Sequence, residues 1–270
     1  MTSAAANETY RAVILIWSVG AIISTLELLS LRAHFAPGRL FAWTLVRRRL
    51  ARGEHFRSLL DALLARGFTG LLVTRLVAVV ALALAPKVSA LLNVSFAVVL
   101  VTTLLLLLRF EWGKDGSDQM STVVLIAIYI GFGPISDDFL QKASLAFISA
   151  QTCLAYGVAG VAKLVSPIWR SGSALALILD TSTYGSAGAA AALRQHDGVG
   201  RILTRSVVAA EVAFGLGLVF LLPAPLAWTL LAWGVAFHVA TAVLMGLNTF
   251  LWAFVSTYPA IIYIHSLLWT

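Results

Sequence analysis

A lysine near the end of a long apolar stretch is the residue whose position most needs a chemical explanation. Lys163 lies in AYGVAGVAKLVSPIWRSG (155–172), shortly before Trp169. Positions i, i+4, i+7 and i+11 share one face of a helix, and at this spacing the chain carries Thr152, Tyr156, Ala159 and Lys163. Partial loss of hydration on such a face favours the neutral amine, which can act as a general base. A long side chain can also extend to a membrane surface, so a base and an interfacial lysine are both open interpretations.

Two glycines on the same segment indicate a close approach by another part of the molecule. Gly157 and Gly160 carry no side chain, and small residues let a second helix or a flat ligand come near the backbone. We therefore predict a groove beside Lys163.

A polar segment, RFEWGKDGSDQ (109–119), separates two apolar stretches further upstream. Asp118 and Gln119 end this segment, and Asp is a common N-cap residue, so they are candidates to cap the next helix. The alternative is that both side chains reach into the cavity of Lys163.

A polar stripe marks AFHVATAVLMGLNTFLWAFVSTYP (236–259). It recurs at i, i+3, i+7 and i+10 and consists of His238, Thr241, Met245 and Asn248. Histidine exchanges protons near neutral pH, so His238 is a candidate catalytic residue. A structural hydrogen bond to a neighbouring helix explains a histidine in such a position equally well.

Three further ionisable residues lie deep in apolar stretches: Glu27, Arg75 and Glu211. A charge inside a span is expensive and usually faces the protein interior or a water-filled cavity. Glu27 and Arg75 could pair across two helices in a purely structural role. We count Glu211 among the residues that line the cavity.

The composition predicts the kind of helices that position these residues. The chain has 270 residues, of which 60% are hydrophobic and 11% charged, with a mean hydropathy of +0.93. Soluble globular chains contain about 25% charged residues, so we predict an all-α integral membrane protein. Eight segments are apolar enough to be spans, and seven spans are the alternative. The segments are 12–31, 69–86, 88–108, 120–136, 142–164, 206–222, 226–247 and 249–268.

A basic amphipathic segment follows the first span. Eight arginines fall between Arg32 and Arg66 and alternate with leucines and aromatic residues at roughly helical spacing. This pattern favours surface helices on anionic lipid, with Arg47, Arg48 and Arg49 at the membrane surface. The net charge of +7 is assigned to this lipid contact, and a nucleic-acid partner is not expected.

Basic residues also predict the orientation. Placing the 32–66 connection in the cytoplasm puts 109–119 and 165–205 there too, and leaves both termini outside. We expect a multi-pass protein of the bacterial inner membrane. The single cysteine excludes an internal disulfide, and there is no metal or nucleotide motif.

Three motifs in a fixed order resemble one known family. They are GSDQ (116–119), then Y-x3-G-x2-K-x5-W-R-x-G (156–172), then H-x2-T-x3-M-G-x-N (238–248). Together they resemble the HTTM family, the membrane domain shared with vitamin K-dependent gamma-glutamyl carboxylase. The resemblance covers about 69–265, so 69–270 is expected to be the carboxylase-like bundle, with 1–68 as an added span and basic segment. The size is similar to the SdpB-like toxin-maturation branch.

The resemblance implies a mechanism and a set of site residues. A lysine at the position of Lys163 would deprotonate a reduced quinone of the vitamin K type, which makes such a quinone the expected cofactor. His238 and Asp118 match positions that line the same cavity. The other residues expected in this cavity are Gln119, Tyr156, Trp169, Asn248 and Glu211.

Three functional hypotheses follow. The first is a membrane enzyme of the carboxylase-like class acting on a peptide or lipid-soluble substrate, with Lys163 as base. The second is a non-catalytic maturation partner that holds an exported peptide toxin precursor or a partner membrane subunit through the basic segment. The third is a quinone-linked redox component similar to DoxX-type membrane proteins.

Overall fold

The protein is a bundle of helices. The computed structural model describes residues 3–39, 41–48, 54–85, 90–110 and 115–269, and all regular structure in these ranges is helical. Arg49 lies outside the described residues. The helices are α1 (Ser3–Ser30), α2 (Trp43–Arg47), α3 (Glu54–Asp61), α4 (Phe68–Leu84), α5 (Ala90–Arg109), α6 (Gly116–Phe132), α7 (Asp138–Val165), α8 (Pro167–Ser171), α9 (Ala174–Leu179), α10 (Ala187–Gln195), α11 (Asp197–Gly215), α12 (Leu218–Leu221), α13 (Ala224–Met245), α14 (Asn248–Val255) and α15 (Tyr258–Leu268).

Among the described residues, five helical segments are long and apolar enough to cross a membrane, which is consistent with a multi-pass membrane protein. They are Ala4–Ser30, Ala90–Arg109, Asp138–Val165, Ala224–Met245 and Asn248–Leu268. A sixth is reached if Arg57–Arg66 and Phe68–Leu84, bent by 77° at Gly67, count as one broken span. This is fewer than the eight predicted. The segment 120–136 begins in the 17-residue α6 and continues past its end at Phe132. The segment 206–222 covers the end of α11 and the four-residue α12.

The polar stripe predicted along 236–259 is divided between two helices. Helix α13 ends at Met245 because Gly246 adopts a left-handed conformation with φ of 71°. Glycine carries no steric penalty there, and such a residue commonly ends a helix. Asn248 therefore starts α14 and does not share a helix face with His238.

Helix α1 belongs to the same packed core as the rest of the bundle. Tyr10, Ile14 and Trp17 are buried in one cluster with residues of α5, α6 and α15. Tyr10 also donates a 2.7 Å hydrogen bond from its hydroxyl to the backbone carbonyl of Gln141, near the start of α7. Helix α1 is thus packed into the bundle.

The basic segment is fixed to the bundle by a small aromatic and aliphatic cluster. Trp43 packs with Phe68 and with leucines at the start of α4. The Arg109 guanidinium, at the end of α5, lies 5.1 Å from the Phe68 ring centroid and 5.7 Å from that of Trp43, and donates to the Phe41 carbonyl at 2.9 Å. These contacts hold the segment against the end of α5 and the start of α4.

Helices α7 and α11 approach each other through glycine. A Cβ atom placed on Gly157 would lie 3.0 Å from Cα of Gly215, and one on Gly160 would lie 2.8 Å from the backbone nitrogen of Val212. A side chain at either position would push the helices apart. The close approach predicted from the two glycines is confirmed, and its partner is α11.

Candidate functional site

A large cavity lies between α7, α8, α9, α10, α11, α13 and α14. It has a volume of about 620 Å³ and a mostly apolar wall. We call it the lysine cavity. Its polar lining residues are Tyr156, Lys163, Ser206, Glu211, His238 and Thr241.

Lys163 forms an ion pair on the wall of this cavity. Its Nζ lies 2.8 Å from Oε1 and 2.7 Å from Oε2 of Glu211, and the two side chains are 20% and 4% exposed. The ammonium also lies 5.1 Å from the centroid of the Trp169 ring. Opposite charges at this distance stabilise each other strongly when they are shielded from water. Lys163 therefore points across to α11. In the resting ion pair the lysine is protonated, so the group that can accept a proton is the Glu211 carboxylate.

The close packing of α7 on α11 explains this geometry. Gly160 lies one turn before Lys163 on α7, and its Cα faces the backbone of Glu211 and Val212 on α11. Positions i and i+3 lie on the same side of a helix. The glycine thus brings the lysine within reach of the carboxylate.

Tyr156 and His238 of the cavity wall belong to a chain of three hydrogen-bonded side chains, whose third member, Tyr258, lies behind the wall. The Tyr156 hydroxyl lies 2.7 Å from Nε2 of His238 and 2.7 Å from the Tyr258 hydroxyl. All three side chains are buried, and the imidazole stacks on Phe254 at 4.8 Å. Nδ1 of His238 has no hydrogen-bond partner among the described residues. The hydroxyl hydrogens can point in either direction along the chain, so His238 can present Nδ1 as a donor or as an acceptor.

Five of the predicted site residues line the lysine cavity. They are Lys163, His238, Tyr156, Trp169 and Glu211. Asp118, Gln119 and Asn248 do not. Asp118 lines a different cavity, Gln119 is exposed at the surface, and Asn248 donates from Nδ2 to Oε1 of Glu27 at 3.2 Å. The motif GSDQ is therefore separated from Lys163.

Local capping accounts for the position of Asp118. Asp115 is the N-cap of α6 and accepts hydrogen bonds from the backbone N–H groups of Ser117 at 2.8 Å and Asp118 at 3.3 Å. Asp118 accepts in return from the Asp115 backbone N–H at 3.3 Å. This is a capping box. The cap expected at Asp118 or Gln119 lies three residues earlier, at Asp115.

The expected pair between Glu27 and Arg75 is not formed. Arg75 donates from Nε to Thr25 Oγ1 at 3.2 Å and from Nη1 to Thr103 Oγ1 at 2.5 Å. No ion pair of Arg75 with a carboxylate occurs among the described residues.

Two features at the lysine cavity were not predicted from the sequence. Tyr258 joins the hydrogen-bonded chain although it lies 102 residues from Tyr156. Helices α9 and α10 cover one side of the cavity and are joined by a two-pronged ion pair, Arg194 Nη1 to Asp180 Oδ2 at 2.8 Å and Nη2 to Oδ1 at 2.9 Å. The hydrogen bond and charge of Arg194 hold the pKa of Asp180 below its ordinary value. The opposite charges of the Asp180 and Arg194 side chains are the sole indication of this contact in the sequence.

Two of the three arginines predicted at the membrane surface are described. Arg47 Nη2 lies 2.8 Å from Oδ2 of Asp61, whose other oxygen accepts a 2.6 Å hydrogen bond from Trp43 Nε1. Arg48 is exposed. Arg49 lies outside the described residues, so its expected role stays a prediction.

No group of three or more His, Cys, Asp or Glu side chains that could hold a metal ion occurs among the described residues. No protein-family model, curated protein or solved structure matches the chain. The resemblance to the HTTM family therefore stays a prediction.

Proposed function

We propose that this chain is a multi-pass protein of the bacterial inner membrane whose lysine cavity binds a lipid-soluble or peptide substrate and exchanges a proton with it. The observation that carries the proposal is the Lys163–Glu211 ion pair on the wall of a cavity with a mostly apolar lining. Apolar pockets with a few convergent polar groups are the usual binding sites for small molecules. The HTTM resemblance adds a class of substrate, a ring with an acidic hydroxyl such as a reduced quinone.

The ion pair can carry out the proton transfer in two steps. In the first, Lys163 gives one ammonium proton to Glu211, which leaves a neutral amine beside a carboxylic acid. In the second, the amine removes the proton from the substrate hydroxyl, so that the O–H bond breaks and an N–H bond forms. The product is a substrate oxyanion next to the Lys163 ammonium, with Glu211 neutral. The charge of the cavity is unchanged, which is essential where water is scarce.

The hydrogen-bonded chain gives the other end of the substrate a partner. His238 has a free Nδ1, and Tyr156 with Tyr258 can switch that nitrogen between donor and acceptor. A ring with oxygens at opposite positions would thus meet Lys163 at one oxygen and His238 at the other. The roles proposed are Lys163 as base, Glu211 as proton acceptor and His238 as the group that orients the ring.

The orientation proposed from the basic residues places the lysine cavity toward the cytoplasm. Lys163 lies near the C-terminal end of α7, and the connection after it carries Arg170, Arg194 and Arg201. With the eight crossings predicted from the sequence, both termini then lie outside.

A phenol whose colour reports its ionisation tests the proposal. The purified protein is titrated with 4-nitrophenol in detergent, and the absorbance separates the bound phenol from the bound phenolate. We expect the wild type to bind the phenolate at a pH where the free compound is mostly neutral. Lys163→Leu should remove this ionisation, because the phenolate then has no ammonium group beside it. Binding of the neutral phenol alone by the wild type would contradict the proposal.

A pair of neighbouring substitutions locates the binding. Ala159→Phe fills the lysine cavity and should abolish binding of 4-nitrophenol. Val158→Phe adds the same ring one residue away, at a side chain that is 63% exposed, and should leave binding unchanged. Equal effects of the two variants would place the phenol elsewhere.

A non-catalytic peptide-holding role is the second candidate. Leu45 and Leu59 are 52% and 55% exposed on the basic segment, which also carries the exposed Arg48. An acidic amphipathic peptide could bind such a surface. In that case Arg47→Ser with Arg48→Ser would impair peptide capture more than Lys163→Leu.

A further inference from the structure

A second cavity, separate from the lysine cavity, lies between α1, α4, α5, α6 and α14. It has a volume of about 370 Å³. We call it the arginine cavity, because Arg75 reaches it from the middle of α4. Its lining is richer in hydroxyl and carboxylate groups than that of the lysine cavity, and these groups belong to Ser24, Glu27, Thr103, Asp115, Ser117, Asp118, Ser121, Thr122 and Thr249.

The positive charge of Arg75 is stabilised by neutral groups only. The side chain is 7% exposed and donates to the hydroxyls of Thr25 and Thr103 and to the Val99 carbonyl, the last at 3.4 Å. These bonds use Nε and Nη1, and no hydrogen bond among the described residues uses Nη2. A buried charge is normally paired. The unused nitrogen of Arg75, in the wall of a cavity, is therefore suited to bind an anionic group of a ligand.

The same cavity also carries negative charge. Glu27 lies near the end of α1, is exposed, and accepts one hydrogen bond, from Asn248 at 3.2 Å. Asp115 lies at the start of α6, where its carboxylate caps the helix. Arg75 lies two turns into α4, deeper in the bundle than Glu27. A ligand that enters past Glu27 thus meets negative charge first and positive charge last.

We propose that the arginine cavity binds a small zwitterion, with its carboxylate or phosphate group at Arg75 and its ammonium group at Glu27. A simple anion would be repelled by the carboxylates around the entrance, and a simple cation would be repelled by Arg75. A molecule with both groups satisfies each charge of the cavity with its opposite. The chemistry is that of a free amino acid or of an ethanolamine phosphate headgroup. The site is independent of the substrate proposed for the lysine cavity.

A panel of small probes distinguishes binding of a zwitterion from binding of a simple anion or a simple cation. The purified protein is titrated by calorimetry with glycine, 4-aminobutyrate and phosphoethanolamine, and with acetate and ethylamine as singly charged controls. We expect at least one zwitterion to bind about tenfold more tightly than either control, the ratio expected for one additional charge-assisted contact. Binding of no zwitterion, or equal binding of acetate, would overturn the proposal for a free ligand.

A lipid arm distinguishes the two sources of the zwitterion. The protein is placed in nanodiscs of phosphatidylethanolamine or of phosphatidylglycerol and released for native mass spectrometry. Retention of phosphatidylethanolamine alone would identify a headgroup as the ligand and would support the same chemistry. Retention of neither lipid, together with no binding of the free probes, would reject the site.

Two substitutions test the assignment of each charge. Glu27→Gln should abolish the preference for the zwitterion and allow acetate to bind, because the opposing charge at the entrance is reduced while Arg75 is kept. Glu8→Gln removes a carboxylate from an exposed position nearer the other end of α1 and should change nothing. Arg75→Gln should weaken the binding of the zwitterion by about tenfold or more. If Glu27→Gln and Glu8→Gln behave alike, Glu27 does not contact a ligand and the proposal is wrong.

Discussion

The two cavities stabilise a buried cation in opposite ways. Lys163 is neutralised by a carboxylate of the protein itself, at 2.7 and 2.8 Å, inside a mostly apolar wall. Arg75 is surrounded by hydroxyls and a carbonyl, and no carboxylate of the described residues pairs with it. Removal of the lysine leaves a charge behind, whereas removal of the arginine leaves only neutral groups. The stability of the two sites should therefore respond differently to the same kind of substitution.

The largest effect is expected when the ion pair is broken. Lys163→Leu should lower the free energy of unfolding by about 3 kcal/mol, the low end of the range for a buried pair because a fifth of the lysine side chain is exposed. The reason is that Glu211, 4% exposed, keeps its charge without a partner. Titration with sodium dodecyl sulfate in mixed micelles measures the change. The double variant Lys163→Leu/Glu211→Leu should recover most of the loss, and failure to do so would show that packing, not charge, is responsible.

A glycine substitution on α7 should disturb the lysine cavity by separating α7 from α11, and it should leave the arginine cavity unchanged. Gly160→Ala places a Cβ atom 2.8 Å from the backbone of Val212 and should lower stability by about 2 kcal/mol, as overpacking does elsewhere. It should also separate Lys163 from Glu211 and weaken phenolate binding. Gly70→Ala on α4 is the matched control, because nothing lies within 4 Å of its added methyl group. Equal losses in the two variants would contradict the close contact of α7 with α11.

A smaller effect is expected at the arginine cavity. Arg75→Met should cost about 1 kcal/mol, the net worth of a typical hydrogen bond. Thr25 and Thr103 keep partners in the variant, since their hydroxyls donate to the Ala21 and Val99 carbonyls at 2.6 and 2.7 Å. The same detergent titration applies. A loss larger than that of Lys163→Leu would reverse the comparison between the two sites.

The smallest effect concerns the cover of the lysine cavity and depends on pH. Because Arg194 lowers the pKa of Asp180 in the folded protein, their ion pair adds stability above the ordinary pKa of aspartate. That contribution is lost as the pH falls through the lowered pKa. Asp180→Asn should therefore lower the melting temperature slightly at about pH 6, and the difference should shrink as the pH falls through the lowered pKa. Asp197→Asn removes another exposed partner of arginine, Arg201, and should leave phenolate binding unaffected, whereas Asp180→Asn should weaken it.

Local features of the sequence predicted local features of the structure. The glycines of α7 predicted a close helix contact, and a break near residue 247 was expected between two spans. Both depend on neighbouring residues, where helix geometry and glycine act directly. The lysine face was also placed well, since Tyr156, Ala159 and Lys163 all line the same cavity.

Contacts between distant segments were not predictable in this way. Lys163 and Glu211 lie 48 residues apart, and their pairing depends on which helix packs against Gly160. The pair expected between Glu27 and Arg75 did not form, because hydroxyls of α1 and α5 lie closer to the guanidinium. Asp118 was assigned to the lysine cavity through the order of three motifs, but order along the chain does not determine which helices become neighbours.

Helix α14 forms a shared wall between the two cavities. Thr249, Trp252 and Ala253 face the arginine cavity, while Phe250 and Phe254 face the lysine cavity. On the α1 side there is no spare room, because a methyl group on Gly20 would lie 2.3 Å from Cβ of Trp252. The two cavities are therefore separated by a single helix. A larger side chain on one face of α14 should reduce the volume of the cavity on that face without enlarging the other cavity.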